Sequence, residues 1–316
     1  MPFQNCPKIC PICKQGKEFK FIRDFERKQD KFSLYQCSQC QIQFYLPFKG
    51  IKDKDYEQRD TYKIYEIVNP KIFRGYHKKF LERNKSFHHK PKILDLGCGT
   101  GEFLSELKKR GCEVWGVDLD HGAILMAKKY FNLENVQAAS FKDFFKNNNL
   151  PQFDIIAIFE VVHLLEDPLE FVKNIQKILK PAGKIILSVP SRQRMMAESN
   201  KWDLPPYCIT RWNSRSISNL FLKINFKISY ICYIEQFKIL VEAINSRTRL
   251  GLVNKTINIS QNKGSKLSSF PEIVYFLGRC KEFIIAFLPA SIFWLWGKII
   301  RKENGIIFVE LEHIYD

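Results

Sequence analysis

The chain has 316 residues, 45% of them hydrophobic, so it supports one large domain with appendages or two domains and is too apolar to be disordered. Its ten cysteines are too sparse for a secreted disulfide scaffold, and its start shows no apolar signal region, so a reducing cytosol is expected. The net charge of +17 is carried by the flanks, with 21 basic and 10 acidic groups in residues 1–92 against 11 and 13 in residues 93–189. Basic flanks suit nucleic acid, anionic lipid or phosphorylated substrates, and the alternative is that the excess reflects only a genomic bias toward lysine.

Two Cys-x-x-Cys pairs stand near the start of the chain, separated by 23 residues. Pairs at such a spacing fit a tetrahedral Zn²⁺ held by four thiolates, and the metal would supply folding energy to a module too small to bury its own core. Residues 1–48 are therefore predicted to form a zinc ribbon, with buried thiols that bind no metal as the alternative. Cys6 is a spare ligand for Cys10. The predicted ligands are Cys10, Cys13, Cys37 and Cys40.

Residues 49–91 are charged and rich in tyrosine, and their apolar residues recur at helical spacing with a break at Asn69-Pro70. This pattern predicts two helices joined at the proline.

The most informative stretch is Lys92 to Arg110. The apolar pair Ile93-Leu94 predicts a buried strand that Asp95 closes, and a glycine turn follows in DLGCGTG. Glycine is needed where a side chain would obstruct the backbone conformation or a nearby ligand. An amphipathic helix then runs to Gly111. Strand, glycine turn and helix are the first unit of a nucleotide-binding α/β sheet.

A second apolar run ends at Asp118, 23 residues after Asp95, where a carboxylate can bind both ribose hydroxyls. The turn DLGCGTG resembles motif I of class I S-adenosylmethionine-dependent methyltransferases, and VWGVDLD resembles their second motif. A structural turn without cofactor and a dehydrogenase are the alternatives. The resemblance implies a seven-stranded, doubly wound Rossmann-like α/β sheet, with residues 49–91 packed over the cofactor pocket.

The resemblance also implies a set of cofactor contacts. Asp95 and the glycine turn would hold the methionine end, and Asp118 would hold the ribose. Where the family often has an aspartate for the adenine amino group, this chain has Ala139-Ser140, so that contact falls to Ser140 or to the backbone. The expected cofactor-binding residues are Asp95, Gly97, Cys98, Gly99, Gly101, Asp118, Leu119, Ser140 and Phe159.

His163 follows the predicted fourth strand, at the sheet edge where ligands bind. With an ordinary pKa of about 6.5, it can take a proton from an acceptor hydroxyl, so it is the candidate catalytic residue. The alternative is that it only holds the turn. The family commonly shows Glu-His here, whereas this chain has Val162-His163. A later segment, Pro205 to Trp212, resembles a Pro-Pro-His-His-Leu-Thr-Arg-Trp segment of ribbon-bearing relatives, but Tyr207-Cys208 replaces the two histidines.

Residues 92–316 are predicted to form the methyltransferase domain, with an insertion at about 236–304 between the last two strands. Within it, residues 283–297 are uncharged and contain two tryptophans, and basic residues follow up to position 302. The run is shorter than the ~20 residues that span a bilayer. A membrane-docking segment at 283–302 and a buried lid over the active site are the two interpretations.

The sequence therefore predicts methyl transfer from S-adenosylmethionine to a small-molecule, sugar, glycolipid or quinone-like lipid acceptor, by a cytoplasmic protein in peripheral contact with the inner membrane surface. Two alternatives stay open. One is an RNA methyltransferase whose ribbon clamps nucleic acid, although nucleic acid is the less favoured partner. The other is a cofactor-binding protein without catalysis. Zn²⁺ is expected as a structural metal. The pattern does not indicate the oligomeric state.

Overall fold

A computed structural model describes residues 2–27, 30–50, 74–87, 89–194, 197, 203–234 and 305–314. The predicted insertion at 236–304, including the segment 283–302, lies outside these residues, and so does the predicted helix pair up to residue 73.

The larger of two sheets has seven strands, and it confirms the predicted Rossmann-like fold. Its strands are β4 (Lys92–Leu96), β5 (Glu113–Asp118), β6 (Val136–Ala138), β7 (Phe153–Phe159), β8 (Leu179–Pro190), β10 (Phe226–Ile234) and β11 (Ile306–His313). Their order is β10-β11-β8-β7-β4-β5-β6. β11 is antiparallel to both of its neighbours, and the pairs among β4 to β8 are parallel. From β4 the chain runs through β5 to β6 at one edge of the sheet, and from β7 it continues toward the opposite edge, as in a doubly wound sheet. Ligands bind in such folds where the strand order reverses, which here is between β4 and β7.

The two central strands explain this arrangement. The runs KILDL of β4 and FDIIAIF of β7 are almost entirely buried, since helices cover both faces of the sheet. Near-continuous apolar strands of this kind are typical of parallel sheets.

Six helices accompany the strands in the described part of the chain. They are α1 (Gly75–Arg83), α2 (Glu102–Lys109), α3 (His121–Phe131), α4 (Phe141–Phe144), α5 (Pro168–Ile178) and α6 (Ser214–Phe221). Asp120 caps α3, because its Oδ1 accepts a hydrogen bond from the Ala123 amide at 3.2 Å. None of these helices has the length and apolarity needed to cross a membrane.

One strand is irregular. The register of β8 against β7 shifts, because Phe153 of β7 pairs with Leu179 while Ile155 pairs with Lys184. The residues between them bulge out of the ladder. Lys180 keeps this bulge against β7, since its Nζ lies 2.8 Å from Asp154 Oδ1.

The smaller sheet contains the cysteine pairs. Its strands are β1 (Phe19–Arg27), β2 (Asp30–Cys37), β3 (Gln43–Leu46) and β9 (Thr210–Arg211), in that order. β9 follows β8 in the chain, so it is far in sequence from the other three strands of this sheet. One of two hydrophobic clusters contains buried residues from both sheets, including Phe44 of β3 and Trp212 beside β9. The two sheets therefore share a core.

Candidate functional site

The turn after β4 needs glycine at three positions. Gly97, Gly99 and Gly101 have φ of 92°, 53° and 81°, in the left-handed region that favours glycine. A Cβ on Gly97 would lie 2.4 Å from Val161 Cγ2, and one on Gly101 would lie 2.6 Å from Leu133 Cδ1. A Cβ on Gly99 would meet nothing within 4 Å. The turn is thus tightly packed at Gly97 and Gly101, whereas a side chain at Gly99 would extend into open space.

Asp118 ends β5 beside this turn. Its Oδ2 accepts a hydrogen bond from the Gly99 amide at 2.8 Å, and its Oδ1 accepts one from the Asp120 amide at 3.0 Å. Burial raises the pKa of Asp118 above its usual value. An ionised carboxylate has about four lone-pair sites, so two remain for ribose hydroxyls.

Asp95 lies behind the turn and is only 2% exposed. Its Oδ1 is buried and has no hydrogen-bond partner among the described residues. Burial, and then the charge of Asp118, raise the pKa of Asp95 to about 8. A buried carboxylate without a partner is costly, so this atom is suited to a ligand that brings N–H donors.

A cleft of about 940 Å³ opens at the carboxyl ends of β4, β5 and β7. Five of the nine predicted cofactor-binding residues line it, and the other four, Asp95, Cys98, Gly99 and Gly101, belong to β4 and the turn behind it. The five are Gly97, Asp118, Leu119, Ser140 and Phe159. The rest of the lining includes Glu160, Val161, Leu164, Leu165, Glu166, Gly50 and Pro206.

Two of the lining residues also have structural partners. Ser140 caps α4, because its Oγ accepts a hydrogen bond from the Asp143 amide at 3.1 Å and donates one to Asp143 Oδ2 at 2.7 Å. Phe159 stacks on Tyr76 of α1 with ring centroids 5.0 Å apart. α1 therefore packs against a wall of the cleft.

Glu160 is a cleft residue that the sequence analysis did not single out. It follows β7 with φ of 59°, a backbone conformation that costs energy for a residue other than glycine. Its Oε1 accepts a hydrogen bond from Ser188 Oγ at 3.2 Å. Burial raises the pKa of Glu160 to about 7, although Arg194 and Ser188 oppose this shift. The backbone conformation that turns Glu160 into the cleft has no signature in the sequence.

His163 lies in a 3-10 turn (Val162–Leu164) and is 6% exposed. It lines a small neighbouring cavity with Arg194 and Cys208, while the next residue, Leu164, lines the large cleft. Its Nδ1 has no partner among the described residues. Burial, and then the charge of Arg194, lower the pKa of His163 to about 3, so the ring is neutral at pH 7. Its catalytic role stays a prediction.

The four predicted zinc ligands come together. The sulfur atoms of Cys10, Cys13, Cys37 and Cys40 all lie within 4.8 Å of one another, and all four residues are buried. The Sγ atoms of Cys10 and Cys40 are 3.9 Å apart, close to the ~3.8 Å that a tetrahedron of 2.3 Å Zn–S bonds requires. Cys6 is exposed and is not part of the cluster.

The backbone around the cluster is arranged for thiolates. The Cys13 amide donates to Cys10 Sγ at 3.5 Å, and the Gly16 amide donates to Cys13 Sγ at 3.4 Å. A Cβ on Gly16 would lie 2.3 Å from Cys37 Sγ. Only glycine leaves room for the sulfur at this position.

Curated relatives of the chain include ubiquinone biosynthesis O-methyltransferases. The protein from Acinetobacter baumannii (strain AYE) is 23% identical over 155 residues, which are 48% of this chain and 63% of the relative. The mitochondrial protein from Schizosaccharomyces pombe is 35% identical over 117 residues, 36% of this chain and 42% of the relative. The chain thus spans less than two thirds of the length of these relatives.

Solved structures give weaker likenesses. A methyltransferase complex with the Trm112 activator from Haloferax volcanii has a TM-score of 0.49 at 15% identity, covering 83% of this chain and 96% of that chain. A SAM-dependent methyltransferase from Archaeoglobus fulgidus has a TM-score of 0.44 at 22% identity, covering 56% of this chain and 79% of that chain. Neither value carries information about the acceptor.

The sequence profile of the Methyltransferase domain family matches residues 68–231, which is just over half of the chain. The matched residues contain the glycine turn, Asp118 and the cleft after β7. The chain belongs to this methyltransferase family.

Proposed function

We propose that the chain binds S-adenosylmethionine in the cleft and transfers its methyl group to a hydroxyl of a small-molecule or lipid-linked acceptor. The observation that carries this proposal is the position of Glu160. It stands at the cleft, one residue after Phe159, with a pKa of about 7. A group with a pKa near the working pH is suited to accept the proton that a hydroxyl loses.

The cofactor end of the cleft is formed by the turn after β4 and by the end of β5. Asp118 accepts hydrogen bonds from the ribose hydroxyls, using the carboxylate lone pairs that the Gly99 and Asp120 amides leave free. The open space over Gly99 lets the ligand approach the backbone. The unpartnered Oδ1 of Asp95 is satisfied by the amino end of the cofactor. Leu119 and Ser140 border the adenine side.

When bound, S-adenosylmethionine supplies a methyl group that is already activated, so the protein's main task is to orient the acceptor and manage its proton. Glu160 accepts that proton at a carboxylate oxygen, and Ser188 holds the carboxylate in place. Arg194 favours the ionised form of Glu160. His163 is the alternative proton acceptor, through its unpartnered Nδ1.

The lining of the acceptor end favours a ring or lipid-like acceptor. Val161, Leu164, Leu165 and Pro206 are apolar, and Phe159 adds an aromatic face. Such walls bind flat or aliphatic groups, while a few polar groups set the orientation. The relatives named for ubiquinone biosynthesis support a quinone-like acceptor, and a sugar or glycolipid hydroxyl meets the same requirements.

The test uses radiolabelled S-adenosylmethionine and the full chain with a whole extract of its host cells, separated into lipid, small-molecule and RNA fractions. Calorimetry with S-adenosylhomocysteine is run in parallel. We expect binding of the product and label in the lipid or small-molecule fraction. Label only in RNA would replace this acceptor class by nucleic acid. Binding without any label would favour a protein that binds the cofactor without catalysis, and absence of binding would refute the cofactor site.

A second proposal concerns the metal. We propose that Cys10, Cys13, Cys37 and Cys40 hold one structural Zn²⁺, which their sulfur spacing and the glycine at position 16 support. Cys40→Ser should lose the metal and lower the melting temperature, and the matched variant Cys6→Ser should keep both. Elemental analysis of protein purified without chelator measures this. Loss of zinc in Cys6→Ser, or its absence from the wild type, would contradict the assignment.

Peripheral membrane contact through residues 283–302 is a proposal from the sequence alone. Co-sedimentation with anionic vesicles at low salt tests it. Trp294→Ala should then release the protein into the supernatant without a change in melting temperature. If the wild type stays in the supernatant and Trp294→Ala melts several degrees lower, the segment is a buried lid.

A further inference from the structure

The cysteine-bearing sheet is joined to the acceptor end of the cleft by a strand that is distant in sequence. β3 pairs with β9 through Gln43 with Arg211 and Phe44 with Thr210. Next to this pair, the Tyr45 amide donates a hydrogen bond to the Ile209 carbonyl at 3.1 Å. Residues 209–211 are thus an added edge of the small sheet, and residues 206–208 lead into this edge.

The same segment holds the turn that borders the cleft. The Ile209 amide and the Thr210 hydroxyl both donate to the main-chain oxygen of His163, each at 3.2 Å. The residue after His163 is Leu164, which lines the cleft, and Pro206 lines it from the other end of the segment. The acceptor end therefore depends on where β9 is placed.

Arg192 fastens this segment to the second cysteine pair. Its Nη1 donates to the main-chain oxygen of Gln41 at 2.6 Å, and Gln41 directly follows Cys40. The Arg192 amide donates to the Trp212 carbonyl at 2.7 Å, and its own carbonyl accepts from Arg211 Nη2 at 3.0 Å. Arg192 thus contacts the carboxyl-terminal end of β9 and the loop that follows Cys40.

A second contact leaves the small sheet on its other side. The Gly50 amide, four residues after the end of β3, donates to Glu166 Oε1 at 2.9 Å. Gly50 and Glu166 both line the cleft. The small sheet therefore contributes directly to the cleft wall and indirectly to the turn at His163.

We propose that Arg192 is a positioning residue that couples the cysteine-held loop to the acceptor end of the cleft, so that the ribbon serves acceptor placement as well as folding. This inference rests on the proposed function, which assigns one end of the cleft to the cofactor and the other end to the acceptor. The cofactor end is held differently, by the glycine turn and by the contact between Asp118 and Gly99. Loosening the Arg192 contact should therefore disturb the acceptor end and spare the cofactor end.

The experiment compares Arg192→Ala, Arg192→Lys and a control, Lys223→Ala, in the full chain. Lys223 also contacts the predicted ribbon, since its Nζ donates to Gln15 Oε1 at 2.6 Å in an exposed position. Hydrogen exchange is measured peptide by peptide, together with zinc content and S-adenosylhomocysteine affinity. For Arg192→Ala we expect hydrogen exchange in residues 162–166 and 206–211 to be about fivefold faster or more, because the variant loses one hydrogen bond. Exchange in β4 and β5, zinc content and affinity should stay within about twofold.

Arg192→Lys should restore part of the protection, because lysine still offers a donor to the Gln41 carbonyl. Unchanged exchange at 162–166 and 206–211 in Arg192→Ala would overturn the proposal even if the wild type binds S-adenosylhomocysteine. A wild type that fails to bind it would instead refute the proposed function.

If Arg192→Ala does not fold, zinc is removed from the wild type by a chelator at a temperature well below melting. The two acceptor-end segments should then lose protection before β4 and β5 do. An equal loss in all four segments, or no loss in any, would overturn the proposal.

Discussion

The two ends of the cleft are built in different ways. The cofactor end comes from one continuous stretch, from Asp95 through the glycine turn to Asp118, in which each element contacts the next. The proposed acceptor end is assembled from three segments that lie far apart in sequence, around Gly50, around Glu160 and Leu164, and around Pro206, and these segments meet through β3 and β9. A local unit keeps its geometry when distant residues change, so this division allows the acceptor end to vary while cofactor binding is retained.

The largest expected effect is on the rate of methyl transfer, which should depend on the acceptor end and not on the cofactor end of the cleft. Glu160→Gln removes the proton acceptor but keeps the size of the side chain, so methyl transfer should fall by about 10²–10⁴-fold while S-adenosylhomocysteine affinity stays within about threefold. His163→Gln is the matched comparison, and we expect the smaller loss for it. Initial rates with labelled cofactor measure both. A larger loss for His163→Gln would make the histidine the proton acceptor.

The pH dependence sharpens this result. In the proposed mechanism the ionised form of Glu160 accepts the proton, so the rate should rise with pH through about 7, the value to which burial raises its pKa. Below that pH the protonated carboxyl cannot accept a proton. Glu160→Gln should lack this rise. A rise centred near 7 that persists in Glu160→Gln would assign it to another group.

The next effect falls on the cofactor end. Asp118→Ala removes charge-assisted ribose contacts worth roughly 1.5–3 kcal/mol, so affinity for S-adenosylhomocysteine should fall at least tenfold. Glu134→Ala, at an exposed acid near α3, is the control for the loss of a negative charge. Calorimetry measures both. Equal affinity in Asp118→Ala and the wild type would remove the aspartate from the ribose site.

The smallest expected effect is that of Asp95→Asn, which should raise the melting temperature at pH 8 but weaken the binding of S-adenosylhomocysteine. The pKa of Asp95 is about 8 in the fold against an ordinary 3.8, so the folded state holds this proton more tightly than the unfolded state. Its contribution to stability is present below about pH 4 and is lost as pH rises toward about 8. Asp95→Asn carries no charge to bury, so at pH 8 it should melt about 2 °C higher or more.

The same variant should bind S-adenosylhomocysteine more weakly, because the amide is a poorer partner for the amino end of the cofactor. Thermal melts at pH 5 and pH 8, with and without the product, give both quantities. A variant that melts lower at pH 8 would mean that Asp95 is paired in the folded protein.

The sequence by itself determined the cofactor end and the cysteine cluster, because both depend on local spacing. A glycine turn between an apolar strand and an amphipathic helix forms one geometry, and two Cys-x-x-Cys pairs bring four sulfur atoms to one point once the intervening strands pair. The predictions for Gly97, Gly99, Asp118 and the four cysteines required no knowledge of distant contacts. Whether they hold cofactor and zinc is what the experiments above decide.

Only the tertiary structure decided the acceptor end. Glu160 lines the cleft with a left-handed backbone conformation that cannot be predicted from its residue type. In the 3-10 turn, Leu164 lines the cleft and His163 lines a neighbouring cavity. β9 has two residues, too few for any periodicity, and it exists because β3 supplies a partner. Pairing between segments more than 150 residues apart is set by the shared core, and no local pattern records it.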